Sequence, residues 1–294
     1  MIALVDANNF YVSCERVFDP KLEGQAVAVL SNNDVISRSA ECKALKIEMG
    51  TPYFKLRRAG IVFRSSNYEL YGDMSARIAA TLGRFTPNLE RYSIDEAFLH
   101  FTGTAPADRV GGWEALGRII HERVKRWTGV PCGMGFAKTR TLAKIANHIG
   151  KKVPGSVFVM PEDASGILEG LPVEEVWGVG RRLSERLNRW GIRTAGELAR
   201  CGKEFFRRGR FAVTLERTAM ELRGIPATEA DTLEKENMQS VGVSRMFGSP
   251  VEEVQGLEEA VSAYAASAAA KLRKAGMVAS VANVYVQEHC HPIA

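Results

Sequence analysis

The chain has 294 residues, 46% of them hydrophobic and 25% charged, a globular balance that excludes a disordered or collagen-like polymer. No apolar run approaches the roughly 18 residues of a membrane span, and Met1-Ile2-Ala3-Leu4-Val5-Asp6 lacks the basic start of a secretory signal. The net charge is +5, and the scattered Cys14, Cys42, Cys132, Cys201 and Cys290 contain no Cys-x-x-Cys pair, which predicts reduced thiols in a soluble, cytoplasmic chain of two or more domains.

In chain order, Ile2 to Val5 reads as a buried strand ending on Asp6. Gln25 to Leu30 reads as a second strand, closed by the turn-prone Ser31-Asn32-Asn33-Asp34. Glu41 to Met49 predicts a short helix stopped by Gly50. Leu89 to Phe101 is strand-like but broken by Asp95-Glu96. Trp113 to Trp127 has helical spacing, and Val130 to Phe136 is a further strand. Gly133-Met134-Gly135-Phe136-Ala137-Lys138-Thr139 only superficially resembles a P-loop, because Ala137 precedes the lysine, and a Walker site is rejected. A basic stretch follows, with Lys138, Arg140, Lys144, Lys151 and Lys152 around a buried side of Leu142, Ile145 and Ile149. Alternating strands and helices through the first 160 residues favour an α/β or α+β domain.

From about residue 165 the pattern changes to short helices with glycine-centred turns. Val176-Trp177-Gly178-Val179-Gly180-Arg181-Arg182 is echoed at Trp190-Gly191-Ile192-Arg193-Thr194. Between Trp177 and Arg217 eleven bases face four acids, a local +7 that exceeds the charge of the whole chain. Such a block is the footprint of a phosphate-backbone binder or a solvated helical face. Between helices, the Gly178/Gly180 hairpin exposes N–H groups at a helix start, where a DNA phosphate can sit, with Arg181 and Arg182 adding charge. Glu229 to Glu259 carries −6, within and beyond a polar linker at 225–240. Val241 to Phe247 then reads as a strand, and Glu258 to Ala275 as a helix with Val261, Tyr264, Ala265, Ala268 and Leu272 on one face. Met277 to Val286 reads as another strand, and His289-Cys290-His291 as surface residues, since adjacent side chains do not converge on one ion.

Carboxylates that interrupt apolar strands need compensation, and a cation supplies it. Asp6, Asp95 and Glu96 are therefore candidate metal ligands, although an acidic doublet in a turn or ion pair is the alternative. Adjacent residues on a strand point to opposite faces, so Asp95 and Glu96 can share a site only near a strand end or bulge.

Several blocks together resemble the Y-family translesion DNA polymerases. They are Asp6-Ala7-Asn8-Asn9-Phe10-Tyr11-Val12-Ser13-Cys14-Glu15, Ser65-Ser66-Asn67-Tyr68-Glu69-Leu70-Tyr71 and Tyr92-Ser93-Ile94-Asp95-Glu96-Ala97-Phe98. Thr141-Leu142-Ala143-Lys144-Ile145-Ala146-Asn147-His148 and the Gly178/Gly180 hairpin complete the set. Within that family the match is to the UmuC-like group, the catalytic subunit of bacterial polymerase V and its plasmid-borne ImpB/MucB/SamB relatives. The resemblance implies an α+β multi-domain right hand: an α/β palm (1–10 and 69–163), small fingers (11–68) and a helical thumb with a helix-hairpin-helix (164–232). A linker (233–240) and a partial α+β little finger (241–294) would follow.

It also implies that Asp6, Asp95, Glu96 and the Ala7 carbonyl hold two Mg²⁺ ions. Tyr11 would be the steric gate beneath the sugar, with Phe10 a core aromatic. Ser37, Lys43 and Lys151 would contact the triphosphate, and Gly178, Gly180, Arg181 and Arg182 the DNA. The implied partners are primer-template DNA, a deoxynucleoside triphosphate, a UmuD-like subunit and a recombinase filament, with no membrane. The expected activity is error-prone, two-metal, template-directed synthesis in SOS mutagenesis. The alternatives are a catalytically weak or inactive DNA- or partner-binding relative and a two-metal nuclease. Four departures mark this chain. Val35-Ile36-Ser37-Arg38 is two residues shorter than the corresponding fingers segment, Ala40 replaces a common tyrosine, and the little finger is expected to be truncated and the sliding-clamp motif to be missing.

Overall fold

The computed structural model describes residues 1–56, 60–153, 155–227, 240–245, 247 and 249–286. The chain divides into two compact units, Met1–Leu233 and Glu234–Ala294. Most of the expected linker (228–239) and His289-Cys290-His291 lie outside the described residues.

The first unit starts with β1 (Ile2–Ala7) and α1 (Phe10–Phe18). β2 (Val27–Ser31) and β3 (Asp34–Arg38) form a hairpin closed by Asn32 and Asn33, both left-handed at φ 48° and 66°. Asparagine tolerates that conformation, which matches the right-handed twist of two paired strands. α2 (Ala40–Ala44), α3 (Tyr53–Leu56) and β4 (Val62–Ser65) complete a small sheet of order β3-β2-β4. The helix expected to reach Met49 stops at Ala44. Lys46 turns left-handed at φ 58° and the Ile47 N–H closes back on the Cys42 carbonyl at 3.1 Å. That closure returns Ile47 to the small core beneath this sheet.

α4 (Tyr68–Leu82) leads to β5 (Leu89–Arg91), β6 (Glu96–His100), α5 (Ala105–Asp108), α6 (Trp113–Thr128), β7 (Cys132–Ala137), α7 (Arg140–Gly150) and β8 (Val157–Val159). The larger sheet has the order β5-β6-β1-β7-β8. Its central strand β1 runs antiparallel to both β6 and β7. Side-chain alternation then decides which residues face which layer. Ala3, Val5 and Ala7 join Ala97 and Leu99 in a core with Tyr71, Met74, Leu116 and Ile120 from α4 and α6. Leu4 and Phe98 point the other way, into a core with Leu142, Ala143, Ile145 and Ala146 of α7. Asp6 and Glu96, two residues along from Leu4 and Phe98, therefore belong to the α7 face.

Gly133 and Gly135 sit inside β7. A Cβ at Gly135 would lie 2.0 Å from the Asn147 nitrogen, so this glycine lets α7 lie directly on the sheet. Five short helices follow: α8 (Ser165–Gly170), α9 (Arg181–Arg189), α10 (Ala195–Arg200), α11 (Lys203–Arg208) and α12 (Val213–Leu222). Together with the turns between them, they place Val176, Val179, Leu187, Leu198, Leu215 and Leu222 in the core of α7.

The second unit contains α13 (Val254–Lys274), none of whose residues is buried. Val261, Tyr264, Ala268 and Leu272 make a half-buried stripe on it, while Ala265 is exposed. The described residues of 241–247 and 277–286 form no strand. Val278 and Tyr285 are 94% and 88% exposed. β-Branched composition marks a segment that can pair, but a ladder also needs a neighbour, and among the described residues of this unit none pairs with either segment.

Candidate active site

The larger sheet brings two acids together by register. Asp6 and Glu96 are direct cross-strand partners at the ends of β1 and β6. Asp95 precedes the strand, in the turn after β5, which removes the conflict of two adjacent strand residues facing opposite ways. Ser93 shapes this turn: its hydroxyl donates to Asp95 Oδ1 at 2.6 Å and accepts the Glu96 N–H at 3.0 Å. The Ala7 N–H donates to the Asp95 carbonyl at 2.9 Å, tying the turn to the end of β1. Asp6, Ala7, Asp95 and Glu96 thus meet at the adjoining ends of β1 and β6 from sequence positions about 90 residues apart.

α7 lays two lysines over these acids. Lys144 Nζ lies 3.1 and 3.2 Å from the Glu96 carboxylate oxygens, and Lys151 Nζ lies 2.7 Å from Asp6 Oδ2. Their seven-residue separation places both on one helix face. Lys144 Nζ also sits 4.5 Å from the Tyr92 ring centre and 4.8 Å from that of Trp177, where the ring faces hold a cation. A cavity of about 280 Å³ opens here, lined by Leu4, Asp6, Glu96, Lys144, Lys151 and Trp177 among others. Asn147 shares the lining, and its buried Nδ2 has no hydrogen-bond partner among the described residues.

Burial pushes the Asp6 carboxyl above its ordinary value, against the pull of Lys151 and with a further push from Asp95. Burial likewise raises Glu96, opposed by Lys144 and reinforced by Asp6. Burial and the neighbouring Lys151 and Arg38 charges lower the Lys43 ammonium on α2, against a smaller pull from Asp6. Tyr11, at the start of α1, stacks on Tyr71 at 4.3 Å and meets Tyr68 edge-on at 6.1 Å. Burial raises its phenol first, then the charges of Tyr68 and Asp95. Ser37 lies in β3 and is only 7% exposed. The four described cysteines are free and buried, and burial pushes the Cys14 and Cys132 thiols up to about 12.

Gly178, Gly180, Arg181 and Arg182 are not among the residues that line the cavity. Gly178 has φ 86°, Gly180 caps α9, and Arg181 and Arg182 are exposed at the helix start, with Arg181 paired to Glu185 at 3.1 Å. Trp177, one residue earlier, lies in the acid-lined cavity, so hairpin and acids are adjacent.

The sequence reading missed Tyr92, Ser93, Asn147 and Trp177 as members of the site. It also placed Lys144 in an undifferentiated basic stretch, although the Lys144/Lys151 spacing was visible. Arg140 needs correction: it is 3% exposed and pairs with Glu90, which His100 also meets at 3.0 Å, so it adds nothing to a basic surface.

Among the described residues no three Asp, Glu, His or Cys side chains are arranged to hold a metal as they stand, and Asp95 is engaged by Ser93. The donors nonetheless fit hard divalent cations: carboxylate oxygens, with two of the acids already compensated by positive charge.

The fold is that of the Y-family DNA polymerases. A solved "Y-family DNA polymerase chimera Dbh-Dpo4(243-245)-Dbh" superposes with a TM-score of 0.75 at 22% identity, covering 92% of this chain and 80% of that one. Residues 5–148 match the impB/mucB/samB family, 161–192 its helix-hairpin-helix ("IMS family HHH motif") and 238–291 its C-terminal domain. The chain is 46% identical to protein UmuC of Salmonella typhimurium over 284 residues, 93% of this chain and 66% of that protein. It is 42% identical to protein MucB of Escherichia coli over 300 residues, 98% of this chain and 70% of the relative. The chain belongs to the impB/mucB/samB family, and spans about two thirds of the length of these relatives.

Proposed function

We propose that the chain is a DNA-directed DNA polymerase of the UmuC type, extending primers on damaged as well as intact templates. The observation that carries this reading is the meeting of Asp6 and Glu96 across β1 and β6, with Asp95 in the adjoining turn and two lysines laid over them. Asp6, Asp95, Glu96 and the Ala7 carbonyl are the groups to hold two Mg²⁺ ions. When bound, these supply Lewis-acid activation of the primer 3′-hydroxyl and neutralise charge on the triphosphate.

The chain's own residues do the remaining work. Lys144 and Lys151 neutralise the acids until substrate enters and then turn to the phosphates, with Lys43 and Ser37 as further triphosphate contacts. Tyr11, backed by Tyr71, closes the floor beneath the sugar and leaves no room for a 2′-hydroxyl. Gly178, Gly180, Arg181 and Arg182 grip the duplex by its phosphates, which fixes the primer end without reading sequence. In this reading residues 1–10 and 69–163 are the palm, 11–68 the fingers, 164–232 the thumb and 241–294 a partial little finger. A UmuD-like subunit and a recombinase filament are the proposed partners, and the cytoplasm the proposed site of action. Among the described residues no helix is long and apolar enough to cross a membrane.

Primer extension with Mg²⁺ is the test. The wild-type chain should add nucleotides and Asp95→Ala/Glu96→Ala should add none; equal behaviour of the two refutes catalysis at these acids.

A further inference from the structure

Outside the cavity, Glu221 on α12 makes a buried contact with the start of α7. Glu221 is 1% exposed. Its Oε2 accepts the Thr141 N–H at 2.9 Å and the Thr141 hydroxyl at 2.7 Å, and its backbone carbonyl accepts the Thr139 hydroxyl at 2.8 Å. Thr139 is the N-cap of α7. A helix start carries N–H groups with no partner inside the helix and the positive end of its dipole, and a carboxylate satisfies both. Here that carboxylate comes from 80 residues further along the chain, from the helical segment that also carries the Gly178/Gly180 hairpin.

Lys144 stands three residues after Thr141, and Lys151 is the C-cap of the same helix. An α-helix transmits a displacement of its first turn along its length, so whatever fixes Thr141 fixes both lysines. We propose that Glu221 is a positioning residue: its carboxylate seats α7 so that Lys144 and Lys151 reach Glu96 and Asp6, and it ties that seat to the helical segment proposed to grip DNA. The inference rests on the polymerase reading for its consequence, but its geometric part does not.

The experiment therefore has two arms. In the first, the full chain without DNA is treated with a limiting amine-acylating reagent, and modification of each lysine is read by mass spectrometry. Glu221→Ala should raise acylation of Lys144 and Lys151 at least fivefold over wild type, while Lys125 on α6 stays unchanged. Glu221→Gln, which keeps an acceptor for the Thr141 N–H, should restore most of the protection, and Thr141→Val should be intermediate. In the second arm, steady-state extension should show the nucleotide KM of Glu221→Ala raised about tenfold, as for loss of an outer-shell partner. Primer-template affinity should stay within twofold.

A folded Glu221→Ala with wild-type lysine protection overturns the proposal, as does a uniform rise across all lysines. If Glu221→Ala does not fold, Glu221→Gln and Thr141→Val are held to the same selective change in Lys144 and Lys151, and its absence from both overturns the proposal. A wild-type chain that fails to extend primers defeats the polymerase reading and leaves the acylation arm to decide the geometric claim.

Discussion

Gly135→Ala offers the sharpest test of how β7 and α7 build the site. The added Cβ would lie 2.0 Å from the Asn147 nitrogen, 2.4 Å from the Ala143 carbonyl oxygen and 2.6 Å from the Ala146 carbonyl carbon. Non-bonded heavy atoms settle at about 3.5–4.0 Å, so α7 has to retreat from the sheet by roughly 1–1.5 Å. All three contacts are backbone, and no rotamer change relieves them. Overpacking of this kind costs about 1–3 kcal/mol, and a rigid backbone neighbour places this case at the top of that range, about 3 kcal/mol. In a unit of this size that lowers the melting temperature by roughly 6–12 °C. A shift of about 1 Å in α7 also misplaces Lys144 and Lys151 and is expected to slow extension about 100-fold. Gly133→Ala is the matched control. Its Cβ meets mainly the flexible Lys151 side chain, at 2.9 and 3.3 Å, so the Asp6 contact is disturbed at a stability cost under about 1 kcal/mol. Thermal denaturation and primer extension on the pair decide the matter. A Gly135→Ala protein as stable as wild type refutes the close approach of helix and sheet.

Three further outcomes are expected. Tyr11→Ala should increase ribonucleotide incorporation relative to deoxyribonucleotide, measured by competitive extension, and unchanged sugar selection would remove Tyr11 from the floor of the site. Arg181→Glu/Arg182→Glu should weaken primer-template binding and lower the slope of log affinity against log salt by about 2, one per lost phosphate contact, with no change in sequence preference. In chelator, Asp6→Asn should raise thermal stability at pH 7 and raise it less at pH 4. The sign follows from burial lifting the Asp6 carboxyl above its unfolded value: stability then falls as pH rises between the two, and the ionised acid carries the full penalty at neutrality. An Asp6→Asn protein less stable than wild type at pH 7 would mean that the Lys151 contact outweighs that penalty.

The sequence made β1, the acidic doublet, α6 and the hairpin legible because each is a local pattern. An apolar run ending on Asp6, helical spacing from Trp113 and glycines at turn positions need no knowledge of the rest of the chain. What joins them is long-range and was hidden. Asp6 faces Glu96 because of a register spanning 90 residues, and Arg140 is buried because Glu90 waits on another strand. The left-handed Lys46 that ends α2 early has no residue-type signal, since lysine is not a residue that favours this conformation. The segments at 241–247 and 277–286 have strand composition but no pairing neighbour among the described residues, and composition alone cannot supply one.

The two lysines laid over the acids give the site its physical logic. Two acids raised by burial at neighbouring strand ends would repel each other and destabilise the fold if nothing faced them, yet a cation-binding site requires them unprotonated. α7 resolves the conflict by bringing Lys144 and Lys151 on one face, close enough to neutralise the acids and flexible enough to leave them. The same helix is held at its first turn by Glu221 and Arg140 and pressed onto β7 through Gly135. Rigidity is concentrated where the helix meets the sheet, and freedom is left to the two long side chains that must exchange acids for phosphates. Replacing Lys144 by methionine would keep the packing against Tyr92 and Trp177 while removing the charge. Glu96 would then lose the Lys144 charge and hydrogen bonds that oppose its burial penalty.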